Sequence, residues 1–218
     1  LSHSFHNLRV AGNCPNFAEW FRIAYGERCS LLPNLYLVDR QTSKRWSSDI
    51  LKIGALGAIR PEKNLMTAAA AAVAIHSHLD VPVELHMSTG GENCHCMTLS
   101  AIEQMVAGLP GLKLIRHHWD FWDKFIKLIG RMDLVIQVSY TESFNMVTAD
   151  AISQRVPAVV SPPIYWAPEQ WMADPDDALD VARVGIDLLT QDQKHLGADA
   201  LLRHDKHSLK YWLAFLRA

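Results

Sequence analysis

From residue 33 onward, short apolar-rich runs alternate with longer stretches in which apolar residues return every three or four positions. The short runs are "LKIGALG" (51–57), "VPVELHMS" (81–88), "GLKLIRHH" (111–118), "DLVIQVS" (133–139) and "PAVVS" (157–161). Their length and their content of Val, Ile and Leu predict buried strands. The stretches between them predict helices over 63–79, 94–107, 120–130 and 145–155. The first is rich in Ala, the strongest helix former, and the third closes on Gly130. Strands separated by helices pair in parallel, with right-handed crossovers and helices on both faces of the sheet. The pattern predicts a three-layer, Rossmann-like α/β domain.

Both ends depart from this alternation. Residues 1–32 hold one helical pattern, "NFAEWFRIAYG" (16–26), followed by "LLPNLYLV", a Pro-Asn turn entering a short strand. After Ser161 come a Pro-rich aromatic loop, "PPIYWAP", and "DPDDALDVARVGIDLLT" (174–190), where acids crowd a helix start as its dipole favours. Two further helical patterns lie near 191–203 and 205–217. The last places Leu209, Trp212, Leu213 and Leu216 on one side. The division expected is an N-terminal helical or linker segment (1–32), an α/β domain (33–203) and a C-terminal helix (204–218), with no second full domain and no internal repeat.

Composition narrows the partners. The 218 residues are 49% hydrophobic with a net charge of -2 and mixed signs throughout, so no global field draws the chain to nucleic acid. The apolar run "LMTAAAAAVAI" is too short to span a bilayer. No secretory signal opens the chain, and its first residue is Leu1 rather than Met, as in a fragment or a trimmed chain. Cys14, Cys29, Cys94 and Cys96 are then expected to be reduced. The expectation is a cytoplasmic protein, with peripheral attachment to a membrane left open. "CHC" (94–96) matches no usual zinc spacing and is read as small residues on a helix face, so no metal is expected.

In an open parallel sheet, ligands bind beyond the carboxyl ends of the strands. The loops there read "GAIRPEKN", "HMSTGGEN", "HHWD", "SYTESFN" and "SPPIYW". They carry the cations Arg60 and Lys63, a Gly-Gly turn, His86, His117 and His118, aromatics, and Glu142. That mixture suits a ligand with phosphates, hydroxyls and a flat ring. A helix starting near Asn145 would offer unpaired backbone N–H groups to an anion. Glu142, just outside that terminus, is either a loop acid beside the dipole or an acceptor for ligand hydroxyls. Asp150 lies among Met146, Val147, Ala151 and Ile152; a buried carboxylate there needs a partner, either backbone N–H groups or a sugar diol. His76 and His78 read as surface residues, and the aromatics of "WDFWDKF" as core.

The stretch "VSYTESFNMVTADAISQRVPAVV" resembles the E-x(7)-E region of the family 4 retaining glycosyltransferases, which have the two-domain GT-B fold. Ser139, Glu142, Phe144, Asp150, Ala151, Pro157 and Val159 carry the likeness. "LGAIRPEKN" is similar to the family's G-R-L-x-x-x-K-G loop, with Gly57 and Lys63 in register, and "LLPN" (31–34) is similar to the segment opening the C-terminal domain. The resemblance covers about residues 31–190. It implies the C-terminal, donor-binding half of such an enzyme and retaining transfer of a sugar from a nucleoside-diphosphate sugar to a carbohydrate or glycan acceptor. It implies that Lys63, helped by Arg60, neutralises the diphosphate. The amides of Ser143, Phe144 and Asn145 would cradle the phosphate or sugar, Glu142 would hold sugar hydroxyls, and Asp150 the ribose. His118 and Trp119 would sit at the nucleobase, without a cofactor or metal.

The departures define what the structure must answer. Asp150 stands in place of a Glu, and Asn64 and Asn145 in place of glycines that favour a left-handed backbone. Arg155 stands in place of the Gly after the helix, which suits a helix that ends differently. Ala58 occupies the position of the family's loop Arg, with Arg60 two residues later. Alone, without the N-terminal acceptor half, residues 1–218 are expected to bind nucleotide weakly and to transfer sugar poorly. Three rivals stand beside this reading: a nucleotide-sugar epimerase of related fold, a non-catalytic binding module, and a metal or redox protein built on Cys94, His95 and Cys96.

Overall fold

The computed structural model describes residues 9–38, 46–90, 97–191 and 195–217. "CHC" (94–96) lies outside the described residues. The elements in chain order are β1 (Ala11–Gly12), α1 (Pro15–Tyr25), β2 (Ser30–Leu31), β3 (Leu51–Ala55), α2 (Leu65–Leu79), β4 (Val83–Gly90), α3 (Met97–Val106), β5 (Leu112–His118), α4 (Trp122–Ile129), β6 (Leu134–Gln137), α5 (Met146–Ser153), β7 (Ala158–Val160), α6 (Ala178–Thr190) and α7 (Leu196–Arg217).

The five predicted strands form one parallel sheet in the order β5-β4-β3-β6-β7. The domain is α/β and Rossmann-like, as the periodicity predicts. α2 packs against α3 and α6 over one face of the sheet, and α4 and α5 cover the other, with α7 against α5. Small residues set the closeness of the first layer. Ala68, Ala69, Ala71 and Ala72 of α2 are fully buried, and Gly185 lets α6 meet Ile75 and Leu134 where a Cβ would come within 3.0 Å of Leu134. Leu51, Ile53, Leu85, Met87, Leu134 and Ile136 fill the core at full burial, each such side chain worth about 1.5–3 kcal/mol.

Several local expectations change. Among the described residues no strand directly follows the Pro-Asn turn; Ser30–Leu31 pairs in parallel with Ala11–Gly12, across α1. The two terminal helical patterns are one continuous helix, α7, whose buried face is Leu201, His204 and Ser208 rather than the leucines near its end. Leu209, Leu213 and Leu216 are exposed, while the Trp212 indole donates to the Pro33 carbonyl at 2.8 Å. His76 is a half-buried residue rather than a free surface one: its two ring nitrogens lie 2.7 and 3.0 Å from the Val81 and Pro110 carbonyls, next to the starts of β4 and β5. Among the described residues no helix is long and apolar enough to cross a membrane, and no group of His, Cys, Asp and Glu could hold a metal ion.

Candidate functional site

The chain leaves β3 for β4 on one side and reaches β6 on the other, so the sheet order reverses between β3 and β6. Loops that follow two such strands part in opposite directions and leave a crevice. Here the crevice is a cavity of about 920 Å³, walled by both loops, by α4 and by the start of α5. The Tyr140 amide donates to the Glu62 carbonyl at 2.8 Å and ties one loop to the other.

The loop after β3 turns at Gly57, whose φ of 121° suits a residue without a Cβ. Its N–H donates to the Ser88 hydroxyl at 3.2 Å. A single 3-10 turn, Pro61–Lys63, then delivers Lys63 to the cavity wall. Asn64 follows with φ 51°, the left-handed backbone the sequence asks of it. Its amide donates to the carbonyls of Pro175 (2.7 Å) and Val138 (3.3 Å), and its oxygen accepts from Thr67 at 2.8 Å. The Asn side chain thereby does what a Gly could not: it pins the turn to the segment before α6 and to the start of the loop after β6.

The loop after β6 brings Glu142 against Lys63 in an ion pair. Glu142 is no exposed loop acid, since only 8% of its side chain is accessible. The same oxygen, Oε1, accepts from Asn145 Nδ2 at 2.8 Å. Asn145 also donates to Gln137 at 3.1 Å, and Gln137 donates to the Leu56 carbonyl at 2.8 Å. A hydrogen-bonded chain therefore crosses the crevice from the end of β3 to Lys63. Asn145 holds φ 64° and caps α5 by accepting from the Thr148 amide at 2.8 Å. The backbone N–H groups of Ser143, Phe144 and Asn145 find no acceptor among the described residues. Phe144 itself is a buried anchor, stacked on Trp166, whose indole donates to the Phe144 carbonyl at 2.5 Å. The Ser143 hydroxyl accepts from Asn13 at 3.3 Å.

Asp150 is 3% exposed at the cavity wall, and among the described residues its hydrogen-bond partner is a side chain. The Tyr36 hydroxyl donates to its Oδ1 at 2.7 Å, and the Trp122 indole lies near enough to favour the charged form. Burial raises the Asp150 pKa, and the two donors oppose that rise. Burial likewise pushes the Tyr36 phenol up to about 12, with the Asp150 charge adding to it. Tyr36 is held in turn by its amide, which donates to Asp205 of α7 at 2.9 Å.

The remaining expected residues line the same cavity with less fixed geometry. Arg60 is two-thirds exposed and sits 3.9 Å from Glu62, while Ala58 leaves its part of the wall without a charge. His118 and Trp119 line the cavity beyond β5, and Trp119 is 67% exposed. The aromatics of "WDFWDKF" do not form core as their spacing predicts: Trp119, Phe121 and Trp122 are exposed, and Phe125 alone of them packs on the core. Trp122 and Phe125 border the cavity. Arg155 overturns a further expectation. The helix does not end differently, because Arg155 itself takes the left-handed backbone at φ 64°.

Pattern reading missed Gln137, Tyr36, Lys127 and Arg131 as cavity or site residues. Gln137 had a signal, a lone amide inside the apolar strand "DLVIQVS". Tyr36 had none, since it meets Asp150 from 114 positions away.

No family model matches the sequence, and no curated protein matches it. Solved structures do match in fold. A mutant of S. aureus TarM, in complex with fondaparinux, alpha-GlcNAc-glycerol and UDP, is similar over 96% of this chain and 44% of its own, with a TM-score of 0.72 and 14% identity. A UDP-forming alpha,alpha-trehalose-phosphate synthase from Burkholderia xenovorans is similar over 95% of this chain and 60% of its own, with a TM-score of 0.70 and 10% identity. A trehalose-6-phosphate synthase studied for glycosyl transfer with retention matches over 78% and 45%, with a TM-score of 0.60 and 12% identity. This chain spans about half the length of these proteins, and its fold is that of the C-terminal GT-B half.

Proposed function

We propose that residues 9–217 form the donor-binding half of a retaining glycosyltransferase and hold a nucleoside-diphosphate sugar in the crevice between the loops after β3 and β6. One observation carries the reading: Lys63, the unpaired amides of Ser143, Phe144 and Asn145, and the carboxylates Glu142 and Asp150 converge on one cavity at the reversal of the sheet. A diphosphate takes the amides and the cations Lys63 and Arg60. Glu142 bonds Lys63 and Asn145 through Oε1, so Oε2 is left to accept a sugar hydroxyl. Asp150 is the acceptor for the ribose.

In transfer, charge collects on the departing diphosphate as the sugar–oxygen bond breaks. Lys63 and the loop amides are positioned to stabilise that charge without rearrangement. Retention and the use of a sugar acceptor are inferred from likeness to the retaining enzymes and belong to a larger protein. Ala58 in the cavity wall and the neutralisation of Lys63 by Glu142 support a second reading, in which the crevice binds the nucleotide sugar without transferring it.

The test is thermal denaturation with UDP, GDP, ADP and their glucose conjugates. A ligand at about one hundred times its Kd adds roughly 2.7 kcal/mol, which raises Tm by about 5–10 °C for a chain of this size. Lys63→Ala and Glu142→Ala should abolish most of that rise. An equal response from the wild type and both variants would place the ligand elsewhere.

A further inference from the structure

Side chains alternate across a strand, so the pairing of β3, β4 and β5 puts Lys52, Glu84, His86, Ser88 and His117 on one face of the sheet, the face toward α4. Three of them are linked in series. His86 Nε2 lies 3.3 Å from the Glu84 carboxylate, and His86 Nδ1 lies 2.8 Å from His117 Nε2, with the two rings stacked at 5.1 Å.

The order of protons along this series is fixed by what each atom can do. An ionised carboxylate only accepts, so His86 carries its hydrogen on Nε2 and leaves Nδ1 bare. The short approach to His117 then requires His117 to donate from Nε2. A neutral His117 is left with a bare Nδ1. Burial holds both imidazoles below the usual histidine pKa, with His117 adding to it at His86 against the pull of Glu84, and Arg131 and His118 adding to it at His117, which favours two neutral rings beside the carboxylate. His117 lines the cavity, and Nδ1 meets no donor among the described residues. Lys127 and Arg131, at the end of α4, line the same wall, and neither has a carboxylate partner among the described residues.

We propose that Glu84, His86 and His117 form a proton-ordered relay whose free end, His117 Nδ1, accepts the ring N–H of a lactam-type nucleobase. Arg131 meets the adjoining carbonyl. A ring N–H beside a C=O occurs in uracil and guanine and not in adenine, so the relay selects a uracil or guanine nucleoside diphosphate. The inference rests on the nucleotide reading above and deepens it. Position supports it as well: His117 lies near the end of β5, two places from β3, about 10 Å across the sheet from the strand that leads to Lys63. His117 is the residue that touches the base; His86 and Glu84 are positioning residues.

The experiment is calorimetric titration of UDP, GDP and ADP, together with UDP and GDP methylated on the ring nitrogen, into the wild type, His117→Phe and His86→Leu. The wild type is expected to bind UDP or GDP about five- to tenfold more tightly than ADP and than its own methylated form, the worth of one neutral hydrogen bond. His117→Phe should bring the methylation ratio to one, and His86→Leu should lower it, with residual affinity for the diphosphate kept in both. Indifference of the wild type to methylation, a preference for ADP, or a full ratio in folded His117→Phe overturns the relay. The methylation arm needs no variant, so a His117→Phe chain that does not fold leaves the test intact. Failure of every nucleotide to bind overturns the nucleotide reading and this one with it, whereas binding without discrimination overturns this one alone.

Discussion

Replacing Asp150 by Asn removes a charge and keeps the shape of a side chain that is 3% exposed. Burial raises the carboxyl pKa above its ordinary 3.8, so the folded chain binds this proton more tightly than the unfolded chain does. The stability from that proton is complete below about pH 4 and is lost as pH climbs through the raised folded-state value. Each tenfold change in acidity is worth about 1.4 kcal/mol. The hydrogen bond from Tyr36 offsets part of the burial cost, so ionised Asp150 leaves the fold less stable at neutral pH than a neutral side chain of the same shape would. The carboxamide oxygen of the variant would still accept from the Tyr36 hydroxyl, which sits 2.7 Å from Oδ1 of Asp150. Asp150→Asn is therefore expected to raise Tm at pH 7, with the gain vanishing near pH 4, in melts followed by circular dichroism. The same variant is expected to bind nucleotide about tenfold more weakly, because a charged acceptor for the ribose becomes a neutral one. A stability difference that is flat with pH, or that favours the carboxylate as pH rises, would refute the electrostatic argument. Unchanged nucleotide affinity would remove Asp150 from the ligand.

Two further substitutions test the packing around the site. His76→Ala breaks the ring contacts to the Val81 and Pro110 carbonyls, and should lower the urea midpoint by the equivalent of about 1–2 kcal/mol with an unchanged m-value; a cost near zero would return His76 to the surface. Gly197→Ala would set a Cβ 2.4 Å from the ring of Trp171, itself 1% exposed. It should cost about 1–3 kcal/mol in the same assay, and a neutral result would mean that α7 does not pack as closely as described.

Much of the scaffold is legible in the chain itself. Strand runs and helical periodicity are properties of neighbouring residues, so the five parallel strands and the helices between them follow from local pattern. The left-handed turns at Asn64 and Asn145 are legible for the same reason, since Asn is the residue after Gly that tolerates them. Arg155 escapes that reasoning: its backbone is set by the need to turn from α5 into β7, and a residue with a Cβ takes the left-handed conformation there.

The site itself is legible in its loops and hidden in its partners. Glu142, Lys63 and Asn145 stand out in the sequence, and Asn145 reaches Glu142 within one loop, but only the pairing of β3 with β6 brings Lys63 within bonding distance of Glu142. Tyr36 against Asp150, and His86 against His117 and Glu84, join residues from separate elements or from neighbouring strands. Their meeting depends on the register of the sheet and on where α7 anchors the entry segment. Sequence alone decides what each segment prefers to be. Which side chains complete one another's hydrogen bonds is decided by tertiary packing, because burial in one shared core leaves a polar group few partners.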